Sequence, residues 1–325
     1  MSRKIADMEV SDIGLGCMGF SHAYGAAMER AEAVRTLRRA YDMGYTFFDT
    51  AECYTGHDAA GRESLNEELV GEALRPVRDS VTIATKCGVT HLPGRQQALD
   101  SSPAAIRRAV EGSLRRLGIE RIDLYYQHRI DPKVEPEEVA ATMGELIREG
   151  KIRHWGISEV GEAYLRRAHA VCPVAAVQNR YSMLARWYEP LLAVLEELGA
   201  ALVAFSPLAN GVLSCHFETQ FACPTDYRQG MPQFSPEGVA KNAQLLELLQ
   251  HIAAEKQATP AQISLAWMLC KRPFIVPIPG SRREERLREN IGACAVHLSP
   301  AEVAALDARL AGMQLAVYGG SAAQK

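Results

Sequence analysis

Tyr45-Thr46-Phe47-Phe48-Asp49-Thr50-Ala51-Glu52-Cys53-Tyr54 is the stretch on which the reading of this chain turns. It opens as a run of aromatic and β-branched residues, the composition of a strand buried on both faces. It closes on a carboxylate, Asp49, followed five residues later by a phenol, Tyr54. A carboxylate leaving a buried strand is costly unless something pairs with it. Two readings are open at this point: an Asp that caps the next turn with a Tyr nearby by accident, or part of a site.

Outward from that stretch, helices and strands alternate. Val34, Leu37 and Tyr41 give a helical spacing over 31–43, stopped by Gly44. A helix is expected over 63–74, ahead of Pro76, and then a β-branched strand at 81–85 delivers Lys86. Ser102-Pro103 opens a helix that runs to Leu117 and stops at Gly118. The strand at 122–127 delivers His128, and Pro136 opens a helix ended by Gly150. The strand at 152–156 delivers Ser158, a helix covers 162–171, and the strand at 174–177 delivers Gln178. A helix over 188–198 leads to a seventh strand at 201–205 and then to a long non-repetitive segment at 210–234. Helices over 236–256 and 260–271, an eighth strand at 274–277 and a helix over 283–291 follow. A last helix over 299–310 takes Ser299 as its N-cap, and the tail with Gly319-Gly320-Ser321 is expected to be mobile.

Eight short strands alternating with helices, with no break in composition, predict an α/β fold of the (β/α)8 TIM-barrel type. It would be a single domain over 1–325, with an extra C-terminal helix and a long loop after strand seven. The competing reading comes from Ile13-Gly14-Leu15-Gly16-Cys17-Met18-Gly19, which contains the G-x-G-x-x-G of a dinucleotide-binding doubly wound sheet. That fingerprint needs a helix to begin inside the glycine loop, and here the first convincing helix begins near Glu29.

Hydrophobic content of 47% and charged content of 23% over 325 residues are those of a soluble globular protein. A net charge of −3 argues against nucleic acid as a main partner and against a basic membrane-facing surface. Residues 1–10 hold no apolar core of a signal peptide, and the apolar region at 191–213 is interrupted by Glu196 and Glu197, so no membrane span is expected. The 8 cysteines contain no C-x-x-C pair, which predicts reduced thiols in a cytoplasmic protein and neither a disulfide frame nor a metal site.

In a barrel, residues past the C-terminal ends of the strands converge on one mouth. Asp49, Lys86 and His128 follow the second, third and fourth strands, with Tyr54 in the loop after the second. Strands about 4.8 Å apart let four such side chains meet. Each has a bland reading alone, a solvated Lys, a satisfied core His, a chance Tyr; together they make a chemical unit. A phenol is a poor acid near neutral pH unless a neighbouring cation eases its ionisation, and a carboxylate behind a lysine keeps that lysine charged and aimed. A histidine beside them can orient a carbonyl oxygen. The expectation is therefore that Lys86 lowers the pKa of Tyr54.

These residues resemble the catalytic tetrad of the aldo-keto reductases, NADP-dependent barrels, and the resemblance runs nearly end to end. It is carried by Gly14-Leu15-Gly16-Cys17-Met18-Gly19, Phe48-Asp49-Thr50-Ala51-Glu52-Cys53-Tyr54, Thr85-Lys86-Cys87-Gly88 and Tyr125-Tyr126-Gln127-His128-Arg129. Gly156-Ile157-Ser158-Glu159, Val177-Gln178-Asn179-Arg180-Tyr181, Phe205-Ser206-Pro207-Leu208 and Pro279-Gly280-Ser281-Arg282 continue it. The bacterial and plant branch is the most similar, and the potassium-channel β subunits are related. The resemblance implies NADPH-dependent reduction of a small aldehyde or ketone. Tyr54 would be the proton donor, His128 would orient the carbonyl, Lys86 would lower the Tyr54 pKa, and Asp49 would support Lys86. It implies a cofactor, NADPH/NADP+, held along Cys17, Met18 and Asp49, with Ser158 and Gln178 on the nicotinamide carboxamide and Phe205 stacked on the ring. Ser206, Pro207, Leu208 and Gly211 would line the diphosphate, Gly280, Ser281, Arg282 and Arg286 the 2′-phosphate end, and Glu289 and Asn290 the adenine. Glu159 stands where many relatives carry Asn and is left out of the carboxamide contacts.

A binding module that senses nicotinamide redox state is the alternative in another class; a turnover assay separates the two, and the complete tetrad favours catalysis. Arg282 and Arg286 are spaced four apart, which on one helix would turn both guanidinium groups to one face. Cys53 and Cys87 flank Tyr54 and Lys86, so either a lowered thiol pKa or plain packing under the loops is open. Pocket walls are expected from 18–24, the loop after Tyr54, Arg129, the 210–235 segment and the C-terminal tail.

Overall fold

The computed structural model describes residues 2–92 and 96–319. Its centre is one parallel sheet of eight strands in chain order: Leu15–Gly16, Phe47–Asp49, Thr82–Cys87, Ile122–Gln127, Ile152–Ser158, Ala176–Arg180, Ala201–Phe205 and Ile275–Pro277. The Gly14 N–H donates to Pro277 O at 3.0 Å, joining the two ends into a barrel. This closure depends on glycine. A Cβ on Gly16 would lie 2.8 Å from Ile278 O, and one on Gly280 would lie 2.6 Å from Gly16 O. The G-x-G run is thus the seam of a barrel, and the doubly wound reading falls away.

The strands alternate as their sequences do. Phe47, Ala84, Leu124, Tyr126, Val203 and Val276 fill the interior, whereas Phe48, Ile83, Tyr125, Leu202 and Ile275 face the helices. The same period of two carries the inward row up to Asp49, Lys86, His128, Ser158, Gln178, Arg180 and Phe205 at the C-terminal mouth. Below, an antiparallel hairpin of Ser2–Ile5 and Met8–Ser11 packs Ile5, Met8 and Val10 against the interior cluster. The sequence reading had missed this plug.

Helices end where local chemistry ends them. Ser102 Oγ accepts from the Ala105 N–H, Pro103 follows, and Gly118 closes the helix at φ 66°. Thr259 and Gln262, and Ser299 and Glu302, form capping boxes that start the last long helices, Pro260–Lys271 and Pro300–Ala311. Two expected helices are shorter than read. Glu63–Leu65 pairs with Thr55–His57 as a hairpin, so the second helix starts only at Asn66. Pro190 takes the N-cap of Leu191–Leu198, which is why the expected start at 188 is not used.

The segment after the seventh strand holds short turns at Ala209–Ser214 and Pro232–Phe234 and leans on the loop after the first strand, where Asn210 Nδ2 donates to Tyr24 OH at 3.0 Å. Residues 313–319 run back over the mouth. Asn242 exchanges two hydrogen bonds of 2.9 Å with the Ala316 backbone, and the Tyr318 N–H donates to Gln233 Oε1 at 2.9 Å. Gly319 is the last described residue of the expected mobile tail; Gly320 and Ser321 lie outside the described residues.

Gly16→Ala is expected to wedge the barrel seam and lower stability by about 1–3 kcal/mol, the usual cost of forcing extra volume into packed structure. A urea midpoint equal to that of the parent would show that the seam relaxes around the methyl group.

Candidate active site

Lys86 is the anchor of the mouth. Its side chain is 0% exposed and that of Asp49 4%, with Nζ 2.5 Å from Asp49 Oδ1. The ammonium also donates to Thr50 O at 2.7 Å and reaches Tyr54 OH at 3.4 Å, lying 4.9 Å from the centroid of the Tyr54 ring. The second Asp49 oxygen accepts from Gln178 Nε2 at 2.7 Å, so the carboxylate is tied to the second, third and sixth strands at once. His128 meets the Tyr54 ring edge-on, with centroids 5.8 Å apart. The structure therefore brings Asp49, Tyr54, Lys86 and His128 into one cluster.

Burial is the larger effect on the Tyr54 phenol and pushes it up to about 12; Lys86 lowers the pKa, as expected, but does not prevail. Burial likewise presses against the Lys86 charge, but Asp49 and Tyr54 outweigh it and the ammonium is held above its ordinary value. Burial raises the Asp49 carboxyl, opposed by Lys86 and Gln178. His128 is held well below the usual imidazole value by burial first and by Arg129 and Lys86 next. A neutral imidazole and an un-ionised phenol both present hydrogen-bond donors at neutral pH.

The thiols resolve toward packing. Burial raises Cys53 to about 12 and pushes Cys17 and Cys87 up as well. Cys53 Sγ sits 3.5 Å from His128 Nδ1 as a small neighbour beneath the loop. All 8 cysteines are free, and no group of metal-binding residues occurs among the described residues.

The expected cofactor residues are laid along the same rim. Cys17 donates its N–H to Asp49 O at 2.8 Å, and Met18 opens a short turn, Met18–Phe20. Ser158 Oγ accepts from Arg129 Nη1 at 3.1 Å, while Gln178 spends its N–H on Asp49. Phe205 ends the seventh strand, and Ser206 follows at φ 49°, ahead of Pro207, Leu208 and a run of left-handed backbone from Ala209 to Gly211. Gly280 lies against Gly16, and Ser281 Oγ accepts the Arg283 N–H at 3.1 Å. Arg282 precedes the helix, which is Glu284–Gly292, so Arg282 and Arg286 do not share a helical face. Arg282 donates to Gly19 O and, at 2.8 Å, to Ala26 O, while its Nη2 is buried without a partner. Arg286 pairs with Glu289 at 2.5 Å, and Asn290 is buried.

Sequence reasoning missed several supports. Asn66 donates to Cys17 O at 2.9 Å and Ser21 Oγ at 2.7 Å and accepts from Thr50 at 2.7 Å, fixing the loops on either side of Tyr54. The imidazoles of His22 and His91 stack at 4.6 Å beside Tyr54. Arg180, two residues past Gln178, shares its inward row, and only strand periodicity signalled it. A groove of about 780 Å³, lined by Asp7, Glu9, Arg78, Asp123 and Arg153 among others, lies at the opposite end of the barrel and contains none of these groups. Chemistry, not size, therefore places the site.

A parallel eight-stranded barrel with its paired and neutral polar groups gathered at the C-terminal mouth defines a barrel enzyme. A model of the aldo/keto reductase family matches residues 12–311. "Probable aldo-keto reductase 1" of Glycine max is 38% identical over 293 residues, 90% of this chain and 83% of that one. A glycerol dehydrogenase from Gluconobacter oxydans superimposes with a TM-score of 0.84 at 27% identity, covering 95% of each chain. An aldo/keto reductase from Klebsiella pneumoniae, solved in complex with NADP and acetate, gives a TM-score of 0.70 at 29% identity over 93% of this chain and 92% of that one. The chain belongs to the aldo/keto reductase family and is an oxidoreductase of that family.

His128 gives a pH test of the buried site. The folded imidazole binds its proton far less readily than the unfolded one, whose pKa is about 6.5. Its neutral burial contributes stability that is full above about pH 6.5 and is lost as pH falls toward the folded value. The urea midpoint of the parent should therefore fall more between about pH 7 and about pH 5 than that of His128→Asn. Parallel slopes would show that His128 is not held neutral by the fold.

Proposed function

We propose that this protein reduces an aldehyde or ketone to an alcohol with NADPH, with Tyr54 as the proton donor. The observation that carries the reading is the Lys86 ammonium, buried between Asp49 at 2.5 Å and Tyr54 OH at 3.4 Å, beside a neutral His128. The cofactor is NADP(H), in keeping with the family and with solved neighbours that hold it. The residues fit such a group: Arg282 keeps a buried, unpartnered Nη2 near the rim, a donor for a phosphate oxygen. Arg282 and Arg286 would take the 2′-phosphate, Ser158 and Gln178 the carboxamide, and Phe205 the ring. No described helix is long and apolar enough to cross a membrane, and free thiols accord with a cytoplasmic setting.

When bound, the cofactor supplies the hydride to the carbonyl carbon. His128 donates a hydrogen bond to the carbonyl oxygen and fixes the face it presents. Tyr54 delivers its phenolic proton to that oxygen as negative charge develops there. Lys86 stabilises the phenolate left behind, and Asp49 keeps Lys86 charged in a site where an unpaired ammonium would cost several kcal/mol. Because the phenol stands at about 12, the proton is in place throughout the neutral range. Oxidation of an alcohol would use the same group as phenolate, which is scarce there.

Tyr54→Phe should lower reduction of a reactive aromatic aldehyde by about 10²–10⁴-fold while NADPH binding, followed by fluorescence, stays intact. Turnover near that of the parent would remove Tyr54 from the chemistry. The alkaline limb of the parent's reduction rate should lie above the ordinary phenol value of about 10; a fall at lower pH would mean that Lys86 does govern the ionisation.

Arg286→Ala should weaken NADPH binding about ten-fold and leave NADH nearly unaffected, one charge-assisted contact being lost. Equal losses for the two cofactors would place the 2′-phosphate elsewhere.

A further inference from the structure

The inward row of the sixth strand ends in Arg180, whose charge the reaction described above does not use. The residue is 9% exposed, and Nη1 is buried with no hydrogen-bond partner. Its guanidinium lies over two rings, 4.9 Å from the centroid of Phe205 and 5.4 Å from that of Tyr318. Ring faces soften the burial of a cation without supplying the acceptor that its N–H groups need. Glu159 is the acidic neighbour, but its Oε1 is taken by the backbone N–H of Arg180 at 3.1 Å.

A second guanidinium stands on the same rim. Arg129 follows His128 and donates from Nη1 to His128 O at 2.6 Å and to Ser158 Oγ at 3.1 Å. Ser158 ends the fifth strand, which pairs with the fourth and the sixth, so Arg129 lies between the tetrad and the strand of Arg180. Among the described residues neither guanidinium forms an ion pair; their contacts are carbonyl, hydroxyl and ring. Two like charges facing one cleft, one of them buried, are held at a cost that an anion between them would relieve.

We propose that Arg180, with Arg129, is an anion site at the mouth and that the preferred substrates are carbonyl compounds carrying a carboxylate. The assignment rests on the carbonyl-reductase reading and names its substrate class. The carbonyl group meets Tyr54 and His128 while the carboxylate turns toward the sixth strand. Nη1 is closed from solvent, so the anion reaches the guanidinium as the Tyr318 ring, itself 41% exposed, gives up its place. An ion pair then replaces a ring contact. The diphosphate of the cofactor offers the same oxygen chemistry, and the test separates the two sources.

Initial rates with NADPH are compared for para-carboxybenzaldehyde and its methyl ester. The acid should be preferred about ten-fold or more in kcat/KM, chiefly through KM, as one charge-assisted contact implies. Arg180→Met should bring the ratio close to one, and Arg180→Lys should restore part of it. Arg180→Gln serves the same comparison should the Met variant not fold. Calorimetric titration of benzoate and benzamide gives a readout without turnover: benzoate should bind the parent more tightly, and Arg180→Met should abolish the difference. A ratio near one in the parent, or a ratio unchanged in Arg180→Met, overturns the proposal. Loss of NADPH affinity in that variant with the ratio intact assigns Arg180 to the diphosphate and overturns it too. If neither aldehyde is reduced, the reductase reading fails, and the benzoate titration alone decides on the anion site.

Discussion

The burial of the Lys86 ammonium is the constraint on which the mouth of this barrel depends. A charge with no exposed side-chain surface must be met by a counter-charge and by acceptors for its remaining N–H groups, or the fold gives up several kcal/mol. Asp49, Thr50 O and Tyr54 OH meet it from the neighbouring strand and its loop. Each partner is fixed by something further out. Gln178 holds the far oxygen of Asp49, and Asn66 ties Thr50 to the loop after the first strand. Even the helix layer takes part, since Glu67 on the second helix receives Thr85 Oγ1, beside Lys86, at 2.6 Å and Arg116 at 2.6 Å. The site is thus held by the barrel as a whole.

The same burial sets the protonation of the site. A cation beside a phenol lowers its pKa in water-like surroundings, but here removal of the phenolate from solvent is the larger effect, and Tyr54 ends above its ordinary value. His128 is pushed the other way by the same cause and stays neutral. Both groups therefore present hydrogen-bond donors at neutral pH. The rim beyond them carries two guanidinium groups, those of Arg129 and Arg180.

The sequence by itself determined the elements and their order, because strand and helix periodicity, caps and breakers are local. The strands at Ile122–Gln127 and Ala201–Phe205 and the helices Glu162–Val171, Pro236–Lys256 and Pro260–Lys271 lie where the residues alone put them. Asp49, Lys86 and His128 were legible as one set because each closes a strand, and parallel strands deliver their ends to one place. The N-terminal plug, the seam at Gly16 and the hairpin that takes Glu63–Leu65 from the second helix were not legible, since each is decided by what packs against it. The net direction of the Tyr54 pKa, the separation of Arg282 from the helix of Arg286 and the unpartnered Nη1 of Arg180 were likewise left to tertiary structure. Electrostatics depends on burial and on neighbours brought from distant parts of the chain, and neither is written in local spacing.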